Sequence, residues 1–145
     1  MTYSEKLKQV TMKEWRELGF YYDQDDKNQW RIIGSKNGLL NFSKILDEYI
    51  VNPKNKNISE HEHYGPYSYL KIMTWNEPII KEDVVGGTLS DLNRLSKLIK
   101  MKLKTLEAPA DFVIDKDYCD RAQWKIKFII KKDDFDPSSE DPQLK

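Results

Sequence analysis

The sequence predicts an α+β fold: an antiparallel sheet of about five strands with two main helices packed on one face, in the order ββαβ(β)αββ. Two stretches repeat apolar residues every three to four positions, several shorter ones alternate apolar and polar residues, and Asp, Asn, Gly and Pro separate them. Hairpin-like strand pairs interrupt any regular strand–helix–strand rhythm, so helices laid on one face of an antiparallel sheet are the expected layering. The opposite face is then at least partly open.

Tyr3, Leu7, Val10, Glu14 and Leu18 stand at near-helical spacing and predict a helix over 3–17. Leu18, Phe20 and Tyr22 alternate next, the polar run 24–28 supplies a turn, and 29–34 (QWRIIG) follows, which together read as a hairpin. Ser35 can accept hydrogen bonds from the free N–H groups of a following helical turn, so it caps a helix that runs to about residue 51. Leu39, Phe42, Ile45, Leu46, Tyr49 and Ile50 form its apolar face, and Asn52-Pro53 ends it. Residues 52–57 read as a solvated loop with nothing to fill a core.

The third strand, over 67–75, places Leu70 and Ile72 on one face and Tyr67, Tyr69, Met73 and Trp75 on the other. Ile79-Ile80 adds a short strand. Gly86-Gly87 leads into a second main helix from 88 to about 106, where Thr88 and Asp91 have capping-box spacing. Leu89, Leu92, Leu95, Ile99, Leu103 and Leu106 form its buried stripe, and Arg94, Lys97, Lys100 and Lys104 a basic flank. Ala108-Pro109 stops it. Strands over 111–115 and 123–130 follow; in the latter Trp124, Ile126, Phe128 and Ile130 alternate with lysines. Residues 1–132 therefore read as a single domain, and 133–145 as an acidic, flexible C-terminal tail with Phe135 as its apolar anchor.

The chain has 145 residues, 24 Lys+Arg and 24 Asp+Glu, and no apolar stretch long enough to span a bilayer. Zero net charge argues against a dedicated nucleic-acid binder, which works by phosphate neutralisation. That neutrality is a sum of unlike parts: 133–145 carries five acidic residues and one lysine, whereas 91–104 carries five basic residues and one aspartate. An acidic tail and a basic helix flank can meet each other or divide a partner between them. The start, MTYSEK, has no apolar run, and one cysteine, Cys119, cannot make an internal disulfide; both lead to a cytoplasmic expectation.

The most distinctive segment is 59–67 (SEHEHYGPY), which holds both histidines of the chain. His61 and His63 can approach one metal if the loop curls, or lie on one side if it is extended, with Glu60 or Glu62 as carboxylate ligands. A third histidine is missing, so the same residues also read as a hydrogen-bonded loop or as a polar protein-contact patch. Tyr64, Tyr67, Tyr69 and Trp75 add aromatic side chains of the kind that dominate interface hot spots, unless they cover a second, minor core under the N-terminal segment. Asp23, Asp25 and Asp26 lack calcium-loop spacing, Gly86-Gly87-Thr88 lacks the phosphate-loop lysine, and no nucleophile elbow occurs.

The segments 19–23 (GFYYD), 30–35 (WRIIGS), 60–67 (EHEHYGPY) and 135–137 (FDP) together resemble a group of small bacterial proteins similar to the immunity proteins that accompany polymorphic toxins. The resemblance spans residues 18 to 137. It implies one α+β domain that neutralises a cognate toxin by binding it, without catalysis or cofactor. The expected function is thus a non-catalytic protein-binding module whose contact residues are Glu60, His61, Glu62, His63, Tyr64, Tyr67, Tyr69 and Trp75. A metal-dependent enzyme centred on His61 and His63 is the alternative, and the expected partner is another protein rather than a membrane or nucleic acid.

Overall fold

The computed structural model describes residues 2–145. Helix α1 (Tyr3–Leu18) leads into strands β1 (Tyr21–Asp25) and β2 (Gln29–Ser35), helix α2 (Lys36–Val51), and the short strands β3 (His61–Tyr64), β4 (Leu70–Thr74), β5 (Ile79–Ile80) and β6 (Val85–Gly87). Helix α3 (Leu89–Thr105) and strands β7 (Ala110–Ile114) and β8 (Lys125–Lys131) complete the regular structure. The α+β class holds, with three helices. The single antiparallel sheet does not: two four-stranded sheets form, ordered β1-β2-β8-β7 and β3-β4-β6-β5. Each is mixed, because β2 runs parallel to β8 and β4 parallel to β6. The β1–β2 hairpin is readable from its polar turn and the β3–β4 hairpin is not, while the parallel pairs join strands that are not consecutive: two helices and five strands lie between β2 and β8, and β5 lies between β4 and β6. Strand β3 was expected as loop and β6 as a helix lead-in, since three or four residues are too few to display an alternation.

The helix starts follow their side chains. Thr2 and Glu5 form a capping box on α1, and Thr88 and Asp91 form one on α3. The Ser35 hydroxyl accepts from the Gly38 amide at 3.1 Å. Gly38 itself is required there, because a Cβ would stand 2.0 Å from the Gly19 carbonyl oxygen.

Register places Tyr22, Trp30, Ile32, Ile126, Phe128, Phe112 and Ile114 on one face of the first sheet. Helix α2 covers that face: the Phe42 ring lies 5.4 Å from Phe128 and 5.6 Å from Phe20, and Phe112 stacks on Phe128 at 4.8 Å. Helices α2 and α3 meet through Ser43 and Ser96, both fully buried: the Ser43 hydroxyl donates to the Ser96 carbonyl, and the Ser96 hydroxyl lies between the Asp47 carboxylate at 2.7 Å and the Ser43 carbonyl at 3.2 Å. Small side chains at the crossing let the backbones approach, and the Ser96 carbonyl and the Asp47 carboxylate give the buried hydroxyls their acceptors.

Two segments expected to be loose are packed. Asn55, in the 52–57 stretch, is 0% exposed and donates its side-chain amide to the Tyr49 carbonyl at 2.9 Å. The acidic stretch 133–145 folds into two 3-10 turns against α1 and β1 rather than meeting the basic flank of α3. Arg16 forms a two-pronged ion pair with Asp136, at 3.2 and 2.9 Å, and Trp15 donates its indole N–H to buried Asp141 at 2.8 Å. A tail of that composition looked unfoldable because its charges have no partner within the segment; the partners lie on α1.

The second sheet is suspended from aromatic donors. The Tyr22 hydroxyl donates to the Tyr64 carbonyl at 2.5 Å and accepts from the amides of Tyr69 and Leu70 at 3.2 and 3.3 Å. Tyr49 donates to the Glu60 carbonyl, Tyr118 to the Gly86 carbonyl, both at 2.7 Å, and the Trp30 indole to the Lys81 carbonyl at 2.8 Å. Gly65 sits at φ +90°, and a Cβ there would lie 2.4 Å from the Tyr22 oxygen.

Removing the hydroxyl in Tyr22→Phe strips partners from three backbone groups and is expected to cost about 1–3 kcal/mol in urea unfolding at pH 7. Gly65→Ala combines a disfavoured φ with a clash and is expected to cost at least about 2 kcal/mol. The Arg16 guanidinium, with help from Ser138, holds the Asp136 carboxyl down at about 2. The folded form therefore gains from ionised Asp136 above the usual carboxylate range, and that gain fades as pH falls from about 4 towards 2. The gap in urea midpoint between the natural protein and Asp136→Asn should be full at pH 6, shrink between about pH 4 and 2, and close only below about pH 2.

Candidate functional site

Alternation along β3 and β4 sorts the sequence candidates onto two faces. Glu62 pairs with Ile72 and Tyr64 with Leu70, whereas His61 pairs with Met73 and His63 with Lys71. Leu70 and Ile72 are buried, so Tyr64 and Glu62 share the inward face, and the two histidines share the outward one. Tyr69, one residue before β4, is 66% exposed on that outward side. The strand β3 is an edge strand.

The imidazoles stand edge to face, 5.1 Å between centroids. Each Nδ1 faces a backbone carbonyl, Ser59 for His61 at 3.0 Å and Ser68 for His63 at 2.9 Å. A carbonyl can only accept, so each Nδ1 carries a proton and donates it, which leaves the Nε2 edge of each ring directed away from its carbonyl. Their carboxylate neighbours do not join them. Glu62 is turned to the other side, ion-paired with Lys54 at 2.6 Å, and no group of three or more His, Cys, Asp or Glu able to hold a metal occurs among the described residues.

Beside this face lies a cleft of about 440 Å³. Trp15, Tyr21, Tyr22, Trp30, Tyr67 and Tyr69 supply its aromatic wall, and Asp23, Glu82, Asp83 and Asp141 its carboxylates. Five separate segments build it: the end of α1, the β1–β2 hairpin, the 65–69 loop, the 81–84 loop and the C-terminal segment. Trp15 lies 4.8 Å from Tyr21, 5.2 Å from Tyr22 and 6.1 Å from Tyr67, so Tyr67 packs at the margin of the main hydrophobic core, to which Trp15, Tyr21 and Tyr22 belong. The loops are pinned from below, because Gln24 donates to the Glu82 carbonyl and Trp30 to that of Lys81.

Asp141, 2% exposed, is the polar centre of the floor. One carboxylate oxygen accepts from Trp15 at 2.8 Å and Tyr67 at 2.7 Å, and the other from the Gln143 amide at 2.9 Å. Burial pushes the Tyr21 phenol up to about 12, and the charges of Asp23 and Asp141 add to the shift. Burial also raises Tyr67, whose proton is held by Asp141. Both phenols therefore remain neutral donors across the ordinary pH range.

Of the residues expected at the site, His61, His63, Tyr67 and Tyr69 are brought together on one side of the molecule. Tyr64 is half-buried in a groove with Leu18, Asn41 and Ile45, and Trp75 lines a separate hollow with Pro78 and Arg121. Glu60 contributes its backbone carbonyl to Tyr49 and Thr74. The basic flank of α3 is partly consumed internally: Arg94 donates to the carbonyls of Asp117 and Tyr118 and lies over the Tyr118 ring at 4.9 Å, and Lys100 pairs with Asp47 at 2.6 Å. Trp15, Trp30, Glu82, Asp83 and Asp141 carried no sequence signal as a site, because nothing local indicates that their segments converge.

No helix among the described residues is long and apolar enough to cross a membrane. Comparison of the chain with protein-family models, curated proteins and solved structures found no match in any of the three. The site is therefore read from its own geometry. Asp141→Ala would leave the Trp15 indole and Tyr67 hydroxyl buried without an acceptor; a loss of about 2–3 kcal/mol is expected in urea unfolding followed by tryptophan fluorescence.

Proposed function

We propose that this chain is a non-catalytic protein-binding module of the immunity-protein kind, which neutralises a cognate bacterial toxin by covering it. The contact surface is the outward face of β3 and β4 with the adjoining tyrosines. The observation that carries this reading is Tyr69: two-thirds exposed, with its ring 5.9 Å from that of half-buried Tyr67, next to the paired histidines on an edge strand. A tyrosine held by a rigid neighbour loses little entropy on docking and offers both apolar area and a hydroxyl, which is the physics of an interface hot spot. His61 and His63 add polar ring edges beside it, and Lys71 a donor. Two imidazoles without a third ligand give the metal-enzyme alternative little to build on.

The test is co-expression with the product of the gene adjacent to this one. Growth rescue and a stable complex on size-exclusion chromatography are expected. Tyr69→Ala should weaken the complex by about 30-fold, corresponding to about 2 kcal/mol, with an unchanged melting temperature. Rescue and affinity that survive Tyr69→Ala combined with His61→Ala would remove the assignment of this surface.

A further inference from the structure

We infer that the aromatic cleft receives the cationic end of an arginine or lysine side chain from a protein partner. The inference rests on the protein-binding reading above and names what that partner inserts.

The cleft lining contains four carboxylates and six aromatic rings but no lysine, arginine or histidine; Trp15, Tyr21, Tyr22, Trp30 and Asp141 are buried and form its floor, so the groups open to an occupant are Tyr67, Tyr69, Glu82 and Asp83. Its negative charge is poorly balanced. Asp23 is held at both oxygens by Arg31, and buried Asp141, though in no ion pair, already accepts from Trp15, Tyr67 and the Gln143 amide. Asp83 reaches Lys71 only at 4.0 Å and Glu82 takes part in no ion pair among the described residues, so these two exposed carboxylates are left to an occupant. An apolar occupant would match the rings yet strip water from the carboxylates without replacing it, which is costly. An anion is repelled, and the carboxylates do not converge as metal ligands. A guanidinium or ammonium group satisfies both parts of the wall, because ring faces attract cations through their quadrupole and carboxylates accept charge-assisted hydrogen bonds.

Shape and placement agree with a side chain presented by a polypeptide. The volume of about 440 Å³ admits a long stem as well as its charged head. Tyr69 belongs both to the cleft wall and to the exposed face that carries His61 and His63, so a chain lying on that face passes the opening. The walls are set before binding, by the bonds of Tyr22 to the 65–69 loop and of Gln24 and Trp30 to the 81–84 loop. Preorganisation of this kind lowers the cost of immobilising the site.

The probe is a blocked Gly-Ser-Arg-Ser-Gly peptide, compared with the same peptide carrying citrulline, which keeps the shape and lacks the charge. Tryptophan fluorescence and calorimetry at low salt read the binding, since Trp15 and Trp30 lie in the wall. Saturable binding of the arginine peptide is expected, at least about tenfold tighter than the citrulline form, with a roughly threefold to tenfold loss in the exposed Glu82→Gln/Asp83→Asn double variant at unchanged melting temperature. Equal binding of the two peptides, an unaffected double variant, or no saturation overturns the inference. So does tighter binding of free choline or putrescine, which would make the occupant a small organic cation. None of these readouts needs the natural partner: failure of the peptide with an intact toxin complex sinks only the cleft assignment, and failure of growth rescue with intact peptide binding sinks only the toxin reading.

Discussion

The Tyr22 hydroxyl is the point from which the second sheet hangs. Strands of two to five residues do not hold together in water by their own ladders, so a sheet built from four of them needs attachment to something larger. One phenol on β1 supplies it, donating to the last carbonyl of β3 and accepting from two successive amides at the start of β4. Tyr49 from α2, Tyr118 from the β7–β8 loop and Trp30 from β2 repeat the device at other points of the sheet's periphery. In each case a buried aromatic ring brings its own apolar area and one well-aimed donor. Burial pushes the Tyr22, Tyr49 and Tyr118 phenols upward, which keeps them protonated and able to donate.

The cleft follows from this mode of attachment. Because Tyr22 pins the 65–69 loop and the side chains of Gln24 and Trp30 pin the 81–84 loop, a gap stays open between the loops, and the end of α1 and the C-terminal segment close it from beneath. Asp141 joins these closing elements, since one of its oxygens is shared between Trp15 of α1 and Tyr67 of the loop. The acidic C-terminal segment is thus a structural strap and also a source of the cleft's charge. Electrostatically, the chain's zero net charge resolves into local accounts: α3 spends part of its basic flank on Asp47 and the 117–118 carbonyls, Arg16 holds Asp136, and the unbalanced carboxylates are left at the cleft.

What could be read in advance differs between fold and site for a physical reason. The helices α2 and α3 were legible to within a residue or two, because a cap residue and an apolar stripe of 3.6 period are both written locally, as in Ser35 with Leu39, Phe42 and Leu46. The alternation of β8 and of 67–75 likewise announced which side chains turn inward. Strand β3 was too short to show its period, and its histidines became placeable only once pairing with β4 was known. The 133–145 segment was misjudged because a run of acids, serines and prolines has no internal means of satisfying its charges; Arg16 and Trp15, far away in the chain, provide it.

By itself, then, the sequence determined the α+β class, the limits of α2 and α3 and the β1–β2 hairpin, all of which depend on interactions within a few residues or on a period of two or 3.6. The tertiary structure alone decided that the strands divide into two sheets with parallel pairs at β2–β8 and β4–β6, and that five remote segments meet in one aromatic, acidic cleft. Strand partnership and cleft formation depend on contacts between segments far apart in the chain, and a local pattern can specify what a segment must bury without specifying against which other segment it does so.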